Sequence, residues 1–322
     1  MNTIEKIANV LKTTKSAVIF THMRPDGDTI GSGMALSRAL SMLKIPNEVV
    51  NEGEIPEKFF FLEGVDQIRT KPTLDAELYI AVDTSDLARL GFLEPTFRAG
   101  IRKKKTVNFD HHISNTRYAH YNFVRERSSN CENVAELIKA LGVPVDALMA
   151  NYLMLGMVTD SGAFSHSDVN GDSFRAAAYA ADHGAEISRI TYEMMRRQSK
   201  ARASMYAEVI SSLRWFLEDT LAVALVTQAL LAKYNIKTDA TEGIVDFGLT
   251  VDGVEVSVCL LEVKKGQYKA SFRSKGKVNV NEVAKRFGGG GHVLASGCML
   301  FGELEEVYDK IRFAVWQHAG EV

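Results

Sequence analysis

The 322-residue chain predicts an α/β protein: an N-terminal doubly wound, mostly parallel sheet, a helical linker, and a smaller α+β domain. Three features point there. Over the first half, short apolar runs alternate with helical patterns, as in parallel sheets covered on both faces. The runs "AVIF", "LYIAV" and "TVNF" are each followed within two residues by an acidic or imidazole side chain. After about residue 213 the texture changes to strand-like runs joined by turns. The expected boundaries are 1–187 for the first domain, 188–212 for the linker and 213–322 for the second domain.

Taken in order, "MNTIEKIANVLKTTKS" places Ile4, Ile7, Ala8, Val10 and Leu11 at helical spacing. "SAVIFTH" reads as a buried strand, "GSGMALSRALSMLKI" as the following helix, and "NEVVNEG" as a second strand. "AELYIAVDTSD" and "KKTVNFDHH" are two more strands, and "NVAELIKALG" and "VDALMANYLMLGMVTD" are helices. Helices fill about 172–215. Beyond them, "WFLEDTLAVALVT", "GIVDFGLTVDGVEVSVCLLEVKKGQYKASFRS" and "ASGCMLFG" read as strands with hairpin turns. Val251-Asp252-Gly253-Val254 is the strongest turn signal among them. The basic run "IRKKKT" (Ile101 to Thr106) is expected to be a solvated loop, and "EKFFFLEG" to be packing.

Composition bounds the function. With 46% hydrophobic and 24% charged residues the chain can bury a full core. A formal net charge of −2 argues against a sequence-independent binder of long nucleic acid, which needs many Lys and Arg contacts to phosphate. Cys131, Cys259 and Cys298 are odd in number and far apart, which suggests a reducing compartment without a disulfide framework. No stretch approaches the ~20 apolar residues of a membrane span. The expectation is a cytoplasmic protein.

The chemistry-bearing residues gather at expected strand ends. "THMRPDGD" supplies His22, Asp26 and Asp28, "AVDTSD" supplies Asp83, "NFDHH" supplies Asp110, His111 and His112, and "GMVTDSGAF" supplies Asp160. Any one of these aspartates could be an ordinary helix cap or turn residue. Four such clusters at the ends where open α/β sheets bind ligands call for cations instead. Carboxylates and imidazoles without thiolates suit Mn²⁺, and less selectively Mg²⁺, Fe²⁺ or Co²⁺. Two ions about 3.5–4 Å apart could share a carboxylate and activate water for attack on phosphorus.

The order H-x-x-x-D-x-D, V-D-x-x-D, D-H-H, D-S-G-x-F resembles the four motifs of the DHH phosphoesterase superfamily. That superfamily includes RecJ-type exonucleases, manganese inorganic pyrophosphatases, cyclic-dinucleotide phosphodiesterases and nanoRNases. The resemblance implies that His22, Asp26 and Asp83 bind one Mn²⁺ and that Asp28, Asp83, His111 and Asp160 bind a second, with Asp83 bridging. It also implies that Asp110 orients an imidazole and that His112 acts on the scissile phosphate or leaving group. Thr29 and Ser161 depart from the commoner Ala and Thr of relatives, and neither is an expected ligand.

A second informative stretch is "SFRSKGKVNVNEVAKRFGGGGHVLASG". Taken alone, Gly288 to Gly291 would be a flexible linker. Between a helix-like and a strand-like segment, however, glycines also let backbone N–H groups approach an anion. Arg273 offers a fork of donors suited to phosphate. Arg273, Gly289, Gly290, Gly291 and His292 resemble the substrate-binding half of the DHH-associated C-terminal domain, which implies that they hold a terminal phosphate or nucleotide. Phe287, before the glycines, is a candidate for base stacking.

The resemblance is nearest to the stand-alone nanoRNase and pAp-phosphatase branch. It implies a Mn²⁺-dependent phosphoesterase acting on short RNA oligonucleotides, in the manner of an oligoribonuclease, and on 3′-phosphoadenosine 5′-phosphate (pAp). Mg²⁺ or Co²⁺ are possible substitutes, and a homodimer is compatible with it. The alternatives are a linear or cyclic dinucleotide phosphodiesterase and a non-catalytic nucleotide-binding module. A pyrophosphatase would share the metal site, but the GGGGH segment favours a nucleotide.

Overall fold

A computed structural model describes residues 2–103 and 105–319. Lys104, within the basic run, and the extreme ends of both expected domains lie outside the described residues. The chain divides into two compact units, Met1–Arg197 and Gln198–Val322.

In the first unit α1 (Ile4–Thr13) starts at an N-cap, Thr3, and buries Ile7, Ala8, Val10 and Leu11. There follow β1 (Ala17–Phe20), α2 (Gly27–Met42), β2 (Asn47–Val50), β3 (Leu78–Val82), α3 (Glu94–Lys103), β4 (Lys105–Asp110) and β5 (Tyr121–Val124). The helices α4 (Asn130–Leu141), α5 (Ala147–Asp160), α6 (Gly171–Asp182) and α7 (Ile187–Thr191) complete the unit. All strand pairs are parallel, in the order β2-β1-β3-β4-β5.

Why "AVIF" is apolar throughout is now plain. Successive side chains of a strand point to opposite faces, and both faces are covered. Ala17 and Ile19 join the core that includes Ile30, Leu36, Val134 and Leu153. Val18 and Phe20 face the other way, where Phe20 lies 5.0 Å from Tyr79 and edge-on to Phe97 at 5.2 Å, ring centre to ring centre. The strand order reverses at β1 and β3, so a crevice opens beyond their C-terminal ends, where ligands bind in such sheets.

Three expectations need correction here. The run "IRKKKT" is not a loop: Ile101–Lys103 close α3 and Lys105 opens β4. Arg102 and Lys103 sit in the last helical turn, where they complement the negative end of the helix. Asp160 does not end a strand; it is the last residue of α5, a helix buried almost all round. Asp28 likewise lies in the first turn of α2.

The second unit contains α8 (Lys200–Ser211), β6 (Arg214–Phe216), β7 (Leu221–Val226), α9 (Gln228–Tyr234), α10 (Ile244–Gly248), β8 (Val256–Lys264) and β9 (Gln267–Ser274). It ends with α11 (Val280–Lys285), β10 (Gly290–Gly291), β11 (Ala295–Phe301) and α12 (Leu304–Ala319). The sheet order is β10-β11-β9-β8-β7-β6; β7 and β8 are parallel and the other pairs antiparallel. Val258, Phe272 and Leu300 pack with Val283 and Ile311 on one face. Ala224 and Cys259 pack with Met205, Val209 and Ile244 on the other.

"GIVDFG" is therefore a helix and not a strand. The Val251–Val254 turn joins that helix to β8 and closes no hairpin, because β8 runs parallel to β7 and parallel neighbours need a crossover. The tight hairpin is the next one, at Lys265-Gly266 between β8 and β9, with Gly266 at φ 71°. Phe287 packs against the core of α11 and α12.

Candidate metal centre

His22 follows β1, and its Nδ1 lies 2.8 Å from the Met23 carbonyl. A carbonyl only accepts, so the ring hydrogen sits on Nδ1 and Nε2 turns into the crevice. There Nε2 lies 3.4 Å from Asp26 Oδ2 and 3.4 Å from Asp83 Oδ2. Asp26 is the N-cap of α2: its Oδ1 accepts from the N–H groups of Asp28 and Thr29 at 3.1 and 3.0 Å, leaving Oδ2 for His22. Asp28 is fully buried and accepts from the first N–H groups of α4, Asn130 at 2.5 Å and Cys131 at 2.9 Å.

Asp83 ends the run after β3 with φ 52°, in the left-handed region where Asp is one of the few tolerated side chains. Its two oxygens diverge. Oδ2 faces His22, while Oδ1 lies 3.3 Å from His111 Nε2. His111 repeats the His22 arrangement: Nδ1 donates to the Arg127 carbonyl at 2.9 Å, and Nε2 faces Asp160 at 3.5 Å and Asp28 at 3.8 Å. Asp110 is buried behind them, accepting from His112 Nδ1 at 2.8 Å and from Asn115 Nδ2 at 2.6 Å.

All eight residues that the sequence singled out here thus come together. They form three overlapping groups within ligand reach: His22, Asp26 and Asp83; Asp28, His111 and Asp160; Asp83, Asp110, His111 and His112. The sequence reading missed the supports, namely the carbonyls of Met23 and Arg127, the N-terminus of α4, and Asn115. No motif marks them, because three are backbone groups and Asn115 lies just beyond the Asp-His-His triplet. His166 also adjoins the centre, its Nδ1 2.9 Å from the Asp160 carbonyl.

The residues fit a divalent cation. His22 Nε2 and Asp83 Oδ1 are buried without a hydrogen-bond partner, and an orphaned polar atom of this kind costs about 1–3 kcal/mol. The donors are carboxylates and imidazoles; the nearby Cys131 thiol points instead toward Ser32 and the Tyr152 carbonyl. Such a set suits Mn²⁺, Mg²⁺ or Co²⁺.

Protonation tells the same story. Burial pulls the His22 imidazole down, but the Asp26 and Asp83 carboxylates outweigh it and push it up to about 10. Burial likewise opposes His111, which Asp83 and Asp28 push up to about 11. Burial and the Asp83 charge raise Asp160 to about 7, and burial with Asp83 and Asp160 holds Asp28 well above the carboxylate range. Burial opposes ionisation of Asp83 too, yet the His111 and His22 imidazoles beside it keep it well below that range. Lacking cations, the cluster retains protons.

A pH dependence follows. The raised His22 and His111 stabilise the metal-free fold fully below their unfolded value of about 6.5, and this contribution fades as pH rises toward 10. Bound cations replace those protons. Melting of the metal-free protein should therefore occur at lower temperature at pH 9 than at pH 6.5, and the upshift on adding Mn²⁺ should grow over that window. A Mn²⁺ upshift independent of pH would contradict the proton–metal exchange.

In the second unit Arg273 lies near the end of β9, opposite Ala295 of β11. Its Nε donates to Asp246 Oδ1 at 3.1 Å and its Nη1 to the Phe272 carbonyl at 3.1 Å. The glycine stretch is neither a linker nor a free loop. Gly289 packs on β11, where a Cβ would come within 2.2 Å of the Gly297 carbonyl, and Gly290–Gly291 form the edge strand β10. His292 and Ala295 close the turn by exchanging hydrogen bonds of 2.7 and 3.2 Å. Antiparallel pairs alternate, so the Gly291–Ser296 pair next along is the non-bonded kind, and the N–H and carbonyl of Gly291 face outward from the sheet edge. Arg273, Gly291 and His292 thus share one corner.

A doubly wound parallel sheet with an Asp–His cluster at its switch point, followed by a mixed-sheet unit, is the build of a DHH-type phosphoesterase, a hydrolase. Comparison with known proteins agrees: the DHH family N-terminal domain matches residues 16–157 and the DHHA1 domain matches residues 219–319. The chain thus carries a DHH N-terminal domain and a DHHA1 domain.

It is 28% identical over 318 residues to the bifunctional oligoribonuclease and PAP phosphatase NrnA of Thermus thermophilus, covering 96% of this chain and 92% of that protein. The protein of the same name from Bacillus subtilis is 24% identical over 291 residues, 88% of this chain and 89% of that one. An exopolyphosphatase-related protein from Bacteroides fragilis has the same fold, with TM-score 0.88 at 23% identity over 98% of this chain and 96% of its own. Among the described residues no helix is long and apolar enough to cross a membrane.

Proposed function

We propose that this protein is a cytoplasmic, Mn²⁺-dependent phosphoesterase that hydrolyses short RNA oligonucleotides and pAp. The observation that carries the reading is the divergence of the Asp83 oxygens toward His22 and His111, 3.4 and 3.3 Å away. One carboxylate so placed can serve two ions. His22, Asp26 and Asp83 would hold the first, and Asp28, Asp83, His111 and Asp160 the second. When bound, two such cations activate water and neutralise charge on the phosphate.

The chain's own residues do the rest. The Met23 and Arg127 carbonyls fix the imidazoles with Nε2 inward. Asp110 holds His112 by Nδ1, so that Nε2 is the atom left to meet a phosphate oxygen or hand a proton to the leaving group. Arg273, the Gly289–Gly291 backbone and His292 bind a phosphate or nucleotide. A net charge of −2 offers no long basic track, which favours short substrates. The names of the curated relatives support RNA oligonucleotides and pAp over cyclic dinucleotides.

The test compares kcat/KM of the Mn²⁺-loaded protein on a 5-mer RNA, pAp, pApA and cyclic di-AMP. The 5-mer and pAp should be preferred by at least about tenfold, a difference of about 1.4 kcal/mol in transition-state binding. Preference for cyclic di-AMP would move the protein to the dinucleotide class, and no turnover on any of them would make it a binding module. Arg273→Ala and His292→Ala should each lower kcat/KM on nucleotides about 10–100-fold, the loss expected for a charged hydrogen bond. Turnover of a small chromogenic phosphodiester should change less than about threefold. Equal losses on both substrates would assign these residues to the chemistry or the fold.

A further inference from the structure

The segment Arg127–Cys131 touches two of the expected ligands of one ion. The Arg127 carbonyl takes the Nδ1 proton of His111, and the Asn130 and Cys131 N–H groups hold the Asp28 carboxylate. Among the described residues, the hydrogen bonds of His22, Asp26 and Asp83 go elsewhere than to this segment.

What holds the segment itself is the Arg127 side chain. That side chain is only 11% exposed, and its guanidinium lies 2.6 Å from Glu136 and 3.8 Å from Glu132 of α4, and 2.7 Å from Asp172 of α6. Glu132 is buried, and its Oε2 has no hydrogen-bond partner, so the guanidinium is the charge that offsets it. Ser128 adds contacts to Glu132 and to Ser173 of α6. A planar fork among three carboxylates fixes direction as well as charge.

We infer that Arg127 is a positioning residue for the ion site built from Asp28, His111 and Asp160, and not for the site built from His22 and Asp26. The inference rests on the reading that the cluster binds two cations. Loosening the clamp lets the His111 ring and the α4 N-terminus drift together, so one ion is lost before the other. Outer partners of metal ligands commonly change affinity 10–100-fold.

The experiment is Mn²⁺ binding to the full chain, followed by calorimetry and by counting bound ions with electron paramagnetic resonance. His22→Ala and Asp160→Ala, each removing a ligand of one site, assign the two steps. Arg127→Ala should weaken the Asp160-dependent step about tenfold or more and the His22-dependent step less than about threefold. Arg127→Lys, which keeps the charge but not the fork, should fall between wild type and Arg127→Ala. Glu136→Gln, at the rim of the clamp, should shift the same step in the same direction by less. If Arg127→Ala does not fold, the other two variants read the same split. Equal weakening of both steps, or of neither, would overturn the inference. Absence of any Mn²⁺ binding by the wild-type chain would overturn the two-cation reading beneath it.

Discussion

Asp83→Asn should lower kcat by at least about 10²–10³-fold, the loss typical of removing one preorganised electrostatic contact to a transition state, while the fold survives. Asparagine matches aspartate in shape and tolerates the left-handed φ of 52° found here. It lacks the second anionic oxygen that lets one side chain address both His22 and His111. Asp83→Ala should abolish turnover too, but it adds backbone strain of about 1–3 kcal/mol, so the asparagine variant is the cleaner measurement. Steady-state kinetics on a metal-stripped, Mn²⁺-reloaded preparation, with circular dichroism as the folding control, decides it. Turnover near wild type would remove Asp83 from its shared role.

Gly156→Ala should strongly destabilise the first unit, because the added methyl group collides with buried, hydrogen-bonded atoms. Gly156 lies within α5, where a Cβ would stand 2.3 Å from Cys131 Sγ, 2.4 Å from Asp28 Oδ1 and 2.9 Å from Cys131 Cβ. None of these atoms is the free end of a flexible chain: Cys131 is buried, and Asp28 is held by two backbone N–H groups. Either α5 moves off α2 and α4, or Asp28 leaves its partners. Overpacking of this kind costs about 1–3 kcal/mol and occasionally more; with a buried carboxylate displaced as well, the upper end is expected. Urea unfolding midpoints measure it, and Mn²⁺ affinity should fall in parallel. Gly53→Ala is the control, since nothing lies within 4 Å of a Cβ there. Equal midpoints for the two variants would show that the three helices do not meet as closely as described.

Much of the first unit was legible because its strands are buried on both faces and so lack polar interruptions until they end. "AVIF" and "LYIAV" mark β1 and β3 by that rule, and the acids after them mark the crevice. The short edge strand β5 and the amphipathic α3 were not read, because "YNFV" is half-buried and the basic end of α3 resembles a loop. Grouping Asp160 with the strand ends conflicts with its own segment, "VDALMANYLMLGMVTD", which reads as a helix and forms one over Ala147–Asp160.

The glycine stretch shows a different limit. Local composition says linker, and only pairing with Gly297 and Ser296 turns Gly290–Gly291 into an edge strand. The same holds for the left-handed Asp83 and for the Arg127 clamp. Their signals lie in strand pairing, backbone conformation and contacts between separate elements, which composition does not carry.

The central claim is that this Asp–His cluster gathers two divalent cations around Asp83. Anomalous diffraction from crystals grown with saturating Mn²⁺ tests it directly. Two peaks about 3.5–4 Å apart, one beside His22 and Asp26 and the other beside Asp28, His111 and Asp160, with an Asp83 oxygen reaching each, are the predicted result. A featureless anomalous map at the cluster, or Mn²⁺ bound only elsewhere on the chain, would contradict it.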